Sequence, residues 1–245
     1  MYENAQEIFN YLPIRKNKLE QDYIEHLWKS YAVLDEGDEI SRPFAVMPFH
    51  LLFMLAIQYR VLRIYKEQKE KYGLVLTTKN PRDEERDILA PESPFAIAFL
   101  GESEIVDFLK IAGLSSDDAR SIKKSIIRYR NDKIAHAKGF IETNIEKKIT
   151  EYFEWLETLQ TVNRLINQCI ANAWLTEIQI DDNLDEFLEA RFLNSCITPK
   201  DLRDIFEIFI KARNLNLSVW LQVAEKCAET KQPWLIKNFV HVLKS

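Results

Sequence analysis

The stretch that most limits what this chain can fold into is FAVMPFHLLFMLAI, residues 44–57, whose apolar character is broken by Pro48 and His50. It is 14 residues long, against the ~20 that a bilayer span requires. A run this apolar and this short is expected to be the central helix of a protein core. Pro48 fits its first turn, where a missing N–H removes no helical bond. The pattern continues as an amphipathic helix to about residue 71, just ahead of Gly73. On such a helix His50 is expected to be a core histidine with its ring nitrogens satisfied, in preference to a metal ligand.

A central helix needs helical partners, and the rest of the sequence supplies them. With 5 Gly, 8 Pro and 47% hydrophobic residues, the chain reads as all-α. Tyr23, Leu27, Tyr31 and Leu34 recur at helical spacing over residues 18–35. A short helix is expected near 103–111, closed by Gly113, and a long one over 143–174. Residues 77–94 are polar and broken by Pro81, Pro91 and Pro94, which marks a loop. From about 176 the chain turns acidic and turn-rich, then gives helical patterns near 200–213, 217–229 and 232–243. The expected organisation is a helical bundle over 1–178 with a C-terminal helical extension over 179–245.

Several chemistries are poorly served by these residues. There is no P-loop, no G-x-G-x-x-G and no G-x-S-x-G, so kinase, dehydrogenase and serine-hydrolase readings have no motif. Cys169, Cys196 and Cys227 are far apart and form no C-x-x-C pair; reduced thiols are expected, with neither disulfides nor zinc. The four His residues form no H-E-x-x-H, and no metal or other cofactor is expected. The first residues carry acidic side chains and no apolar segment of signal type, so a cytoplasmic location and no membrane association are expected.

Residues 116–139 hold the candidate site. Ser115 or Ser116 can cap a helix, Asp117 and Asp118 suit its positive end, and Gly139 can close it. Ile122, Ile126, Ile127 and Ile134 form one apolar stripe. The other side is basic: Arg120, Lys123, Lys124, Arg128, Arg130, Lys133 and Lys138 outnumber Asp117, Asp118 and Asp132 on a chain whose net charge is −5. A basic helix on an acidic protein attracts polyanions locally. The helix ends in RYRNDKIAHAKG, where Arg130 and His136 have five residues between them and Asn131 follows the arginine.

That string resembles the signature of the HEPN superfamily, the all-helical domain of many prokaryotic RNA-cleaving toxins, abortive-infection proteins and CRISPR-associated nucleases. The family pattern is Arg, four to six residues, His, commonly with a polar residue after the Arg; Asn131 fills the polar place, and Ile134-Ala135 before His136 matches as well. The resemblance implies a HEPN-like bundle acting as a metal-independent endoribonuclease in a toxin or antiphage-defence setting, with a homodimeric site. Its partners would be RNA and an antitoxin or other defence-system protein. It equally admits a non-catalytic HEPN module that binds RNA, a nucleotide or a protein.

The chemistry suits these residue types. RNA carries its own nucleophile, the 2′-OH beside each phosphodiester, so a cleaving site needs a proton carrier and a cation for the developing phosphorane. His136, with a reference pKa near ~6.5, can exchange protons at neutral pH. The guanidinium fork of Arg130 suits phosphate oxygens. Asn131 can hydrogen-bond phosphate or ribose, and Asp132, four residues before His136, can orient the imidazole. Lys123, Lys124, Arg128, Lys133 and Lys138 would hold the RNA backbone, and Tyr59, Arg60 and Arg63 could extend that surface. On an ideal helix Arg130 and His136 lie about 120° apart and roughly 9 Å along the axis. They converge on one phosphate only if the helix bends or ends near His136, or if a second copy completes the site.

Overall fold

The computed structural model describes residues 3–14, 16–76, 87–135, 144–180 and 196–212. Among them the protein is all-α, with no strand. The helices are α1 (Lys18–Asp35), α2 (Val46–Glu67), α3 (Lys69–Leu76), α4 (Pro94–Ile97), α5 (Glu102–Phe108), α6 (Ser116–Ile122), α7 (Ile145–Ile180) and α8 (Pro199–Ala212). Short 3-10 turns precede α1 at Glu3–Tyr11, lead into α2 at Arg42–Ala45 and extend α5 at Leu109–Ala112. The chain divides into two compact units. One comprises Met1–Phe9 and Lys16–Leu159, the other Asn10–Arg15 and Gln160–Ser245.

In the first unit α2 is the central helix. The stretch Arg42–Glu67 is long and apolar enough to cross a membrane by composition, yet 83% of its most apolar window is buried inside the protein. Phe49, Leu52 and Phe53 are fully buried, and each such side chain contributes about 1.5–3 kcal/mol relative to exposure. Aromatic rings tie three helices together there: Trp28 stacks on Tyr31 with centroids 5.2 Å apart, Tyr31 meets Phe49 at 5.5 Å, and Phe49 meets Tyr152 of α7 at 5.6 Å. Gln68 leaves helical geometry (φ −138°, ψ 51°), so the amphipathic stretch expected to run unbroken to residue 71 is two helices, and Gly73 lies inside α3.

The helix starts are set by local chemistry. Asn17 accepts the Glu20 amide N–H at 2.9 Å while the Glu20 carboxylate accepts the Asn17 N–H at 3.2 Å, a reciprocal cap. Glu20 also accepts from the Tyr59 hydroxyl at 2.9 Å, which is why this carboxylate can be buried. The inner face of α1 is therefore Glu20, Ile24, Leu27, Tyr31 and Asp35, with Tyr23 turned partly outward. Gly113 closes the turn after α5 at φ 103°, a left-handed conformation that favours glycine. Of the expected loop, residues 77–86 lie outside the described residues; on its far side the Ile88 carbonyl accepts the buried Tyr72 hydroxyl at 2.7 Å.

In the second unit α8 begins with Thr198, whose hydroxyl accepts the Asp201 N–H at 3.1 Å, while Asp201 Oδ2 accepts the Thr198 N–H at 3.2 Å. Gln160 of α7 donates to Asp201 at 2.9 Å and to Asp204 at 3.0 Å, and Asn167 donates to the same two oxygens at 3.1 and 3.2 Å. This buried polar cluster ties α7 to α8, so its integrity matters. Asp201→Ala is expected to cost about 2–3 kcal/mol through the lost cap and the weakened amide pairing, read as a lower urea midpoint. The helical patterns expected at 217–229 and 232–243 lie outside the described residues.

Candidate functional site

The motif helix starts as read from the sequence. Ser115 is the N-cap, its hydroxyl accepting the Asp118 N–H at 3.0 Å. It does not continue as a plain α-helix. After Ile122 it widens into a π-helical segment over Lys123–Ile127, returns to α geometry at Arg128 and Tyr129, and widens again over Arg130–Ala135. Such i→i+5 segments are rare and occur often at functional sites. Arg130, Asn131 and Asp132 are all in the second one, each half-buried.

The widening has identifiable supports. Ser125 returns its hydroxyl to the Ser121 carbonyl at 2.8 Å, a bond that bends helices. From α7, Trp155 donates its indole N–H to that hydroxyl at 3.0 Å, and Lys148 donates to the Ser125 carbonyl at 3.0 Å. The Lys148 ammonium also lies 4.1 Å from the Tyr129 ring centroid and pairs with Glu151 at 2.6 Å. Lys148 thus takes up a backbone carbonyl that an ordinary α-helix would bond internally, and Trp155 holds the Ser125 hydroxyl beside it. Trp155 is half-buried in this role.

Arg130 is fixed from a third direction. Its Nη2 donates to Oε1 of Glu102, the first residue of α5. The same oxygen lies 3.2 Å from His50 Nε2, and His50 Nδ1 is 2.9 Å from the Tyr152 hydroxyl. His50 is fully buried, the satisfied core histidine expected on α2. Burial, with the negative charges of Glu102 and Glu151 adding to it, pushes the Tyr152 phenol well above its ordinary pKa, so it is a donor at neutral pH. Burial raises the Glu102 carboxyl too, but hydrogen bonds and charge from His50 and Arg130 outweigh it and hold the group below its ordinary value. The contacts form one continuous chain: the Tyr152 hydroxyl meets His50 Nδ1, His50 Nε2 meets Glu102 Oε1, and Arg130 donates to that same oxygen. Glu102 Oε2 is buried and has no hydrogen-bond partner among the described residues.

The basic residues expected to hold RNA are distributed unevenly. Lys123 pairs with Asp107 at 2.6 Å, and Arg128, its side chain 73% exposed, pairs with Asp132 at 3.4 Å. Lys124 is exposed. The side chains of Lys133, His136 and Lys138 lie outside the described residues. Tyr59, Arg60 and Arg63, expected at a solvated edge that could extend the basic surface, are 2–3% exposed. They sit on the central helix, where Arg60 donates to the Ala56 carbonyl at 3.5 Å and Tyr59 donates to Glu20.

Sequence reading missed Glu102, which acts on the motif helix from α5, and Tyr152, which reaches Glu102 through His50. The one available signal was the buried His50, whose two ring nitrogens had to find partners. Among the described residues no three His, Cys, Asp or Glu side chains gather as a metal site would require. The arrangement can present a guanidinium held on one side and partly open on the other, 24% of its side chain being exposed. Comparison with protein-family models, curated proteins and solved structures finds no match to this chain.

Proposed function

We propose that this chain is a HEPN-type endoribonuclease that cleaves RNA without a metal, by attack of the 2′-OH on the adjacent phosphodiester. His136 moves the proton, Arg130 takes the developing phosphorane charge, and Asn131 hydrogen-bonds phosphate or ribose. Lys124, Lys133 and Lys138, with Lys123 and Arg128, attract the RNA backbone. The active unit is a homodimer in which two copies of the Arg130–His136 pair line one cleft, and the setting is a cytoplasmic toxin or antiphage-defence system.

The observation that carries this reading is the state of Arg130: a partly exposed guanidinium, anchored to Glu102 through one nitrogen, in a π-helical turn shared with Asn131. With one side held by Glu102, the exposed edge of the guanidinium can meet a phosphate. The second reading, a non-catalytic HEPN module that binds RNA, nucleotide or protein, draws support from the pairing of Lys123, Arg128 and Arg130 with Asp107, Asp132 and Glu102, which offsets much of the local positive field.

End-group analysis tests the proposal. With EDTA present, the expected RNA fragments have 2′,3′-cyclic phosphates and free 5′-OH ends, so a polynucleotide kinase labels them without prior phosphatase treatment. Fragments with 5′-phosphates would contradict 2′-OH attack.

A further inference from the structure

Four side chains from four elements form an unbroken polar path from the core to the candidate site. Tyr152 of α7 meets His50 of α2, His50 meets Glu102 of α5, and Glu102 meets Arg130 of the motif helix. The inner half of that path is rigid: His50 is fully buried, both its ring nitrogens are engaged, and Tyr152 is packed edge-on against Phe53 with centroids 4.8 Å apart. The outer half is reachable, with the Glu102 and Arg130 side chains 20% and 24% exposed.

We infer that Glu102 is a positioning residue: locked by His50 and Tyr152, it fixes the Arg130 guanidinium so that its remaining N–H groups face a phosphate. This rests on the ribonuclease reading for what Arg130 does, but not for how Arg130 is held. A guanidinium on a flexible stem loses rotamer freedom on meeting a phosphate. One held beforehand is already arranged for the transition state, and misplacement by about 1 Å can cost 10²-fold in rate. Asp107 also pairs with a basic residue of this helix, but its side chain is 43% exposed. Glu102 is the carboxylate braced from the core.

Electrostatics and positioning predict opposite signs, which makes the claim testable. By charge alone, neutralising a carboxylate beside a basic helix strengthens RNA binding and speeds cleavage. By positioning, Glu102→Gln lowers kcat. Glutamine keeps the shape of glutamate, removes the charge that grips Arg130 and turns one acceptor oxygen into an N–H donor.

The experiment uses the full-length protein, its Glu102→Gln variant, and Asp107→Asn as a control that removes a carboxylate of the same region. Cleavage of a short RNA is measured, together with ¹⁵N NMR of the Arg130 guanidinium assigned through Arg130→Lys. Expected are slow rotation of the Arg130 guanidinium in the wild type, faster rotation in Glu102→Gln, and a kcat reduced about 10–100-fold with KM changed far less. Asp107→Asn should retain kcat. A freely rotating Arg130 in the folded wild type overturns the inference without reference to any variant. So does a folded Glu102→Gln protein with undiminished kcat while Arg130→Ala is inactive, and that result leaves the ribonuclease reading intact. A wild-type protein that cleaves no RNA overturns the ribonuclease reading, and the NMR comparison then decides whether Glu102 holds Arg130.

Discussion

Replacing His136 by alanine is expected to lower the single-turnover rate of RNA cleavage by about 10²–10⁴-fold, the range that general acid–base groups supply. Arg130→Ala is expected to cost about 10²–10³-fold, as loss of one donor to a developing oxyanion does. Both losses should fall on the chemical step, with RNA affinity changing less, because the remaining basic residues contribute most of the non-specific attraction. Arg130→Lys separates charge from geometry. A lysine keeps the positive charge but lacks the planar fork that can engage Glu102 and a phosphate at once, so the expected rate stays well below wild type. Arg130 is partly exposed, and circular dichroism of its variants should match wild type. The two substitutions should not be additive, since groups serving one transition state act together.

The largest expected loss of stability is at His50. His50→Ala removes a fully buried imidazole and leaves two groups without their partner: the Tyr152 hydroxyl, 2.9 Å from Nδ1, and the Glu102 carboxylate, 3.2 Å from Nε2. Cavity formation and the stranded polar groups together are expected to cost about 3–5 kcal/mol, visible as a lower urea midpoint with the slope unchanged. A double-mutant cycle sharpens the test. Tyr152→Phe alone removes one hydroxyl, and combining it with His50→Ala should cost less than the sum by about 1 kcal/mol, because the hydroxyl is already stranded in His50→Ala. Full additivity would show that the 2.9 Å contact contributes nothing. The Glu102 carboxyl, held below its ordinary pKa, contributes stability that is present above the unfolded carboxylate range. That contribution is lost as pH falls through the folded value.

What the sequence made legible was whatever is decided locally. The helical class follows from scarce glycine and from periodicity, and the start of α6 follows from Ser115, whose cap reaches only three residues ahead. The close of α5 follows from Gly113, whose φ of 103° suits few other residues. The core role of residues 44–57 follows from the length of an apolar run. The π-helical widening did not show, because its supports, Lys148 and Trp155, lie 23 and 30 residues beyond Ser125 in the chain. For the same reason the charge count on the motif helix overstated its field: Asp107 and Glu102, from α5, pair with Lys123 and Arg130. Glu102 sits 28 residues before Arg130, at a separation that no periodicity reports. Arg60 and Arg63 were misplaced because charged side chains are usually solvated, and their burial depends on what surrounds α2.

The measurement that bears most directly on the central claim is cleavage of total RNA and of a short defined RNA by the purified wild-type protein in EDTA, beside Arg130→Ala and His136→Ala. The account predicts fragments with wild type that persist under chelation and disappear in both variants. Equal cleavage by all three proteins, or none by a folded wild-type dimer, would contradict it.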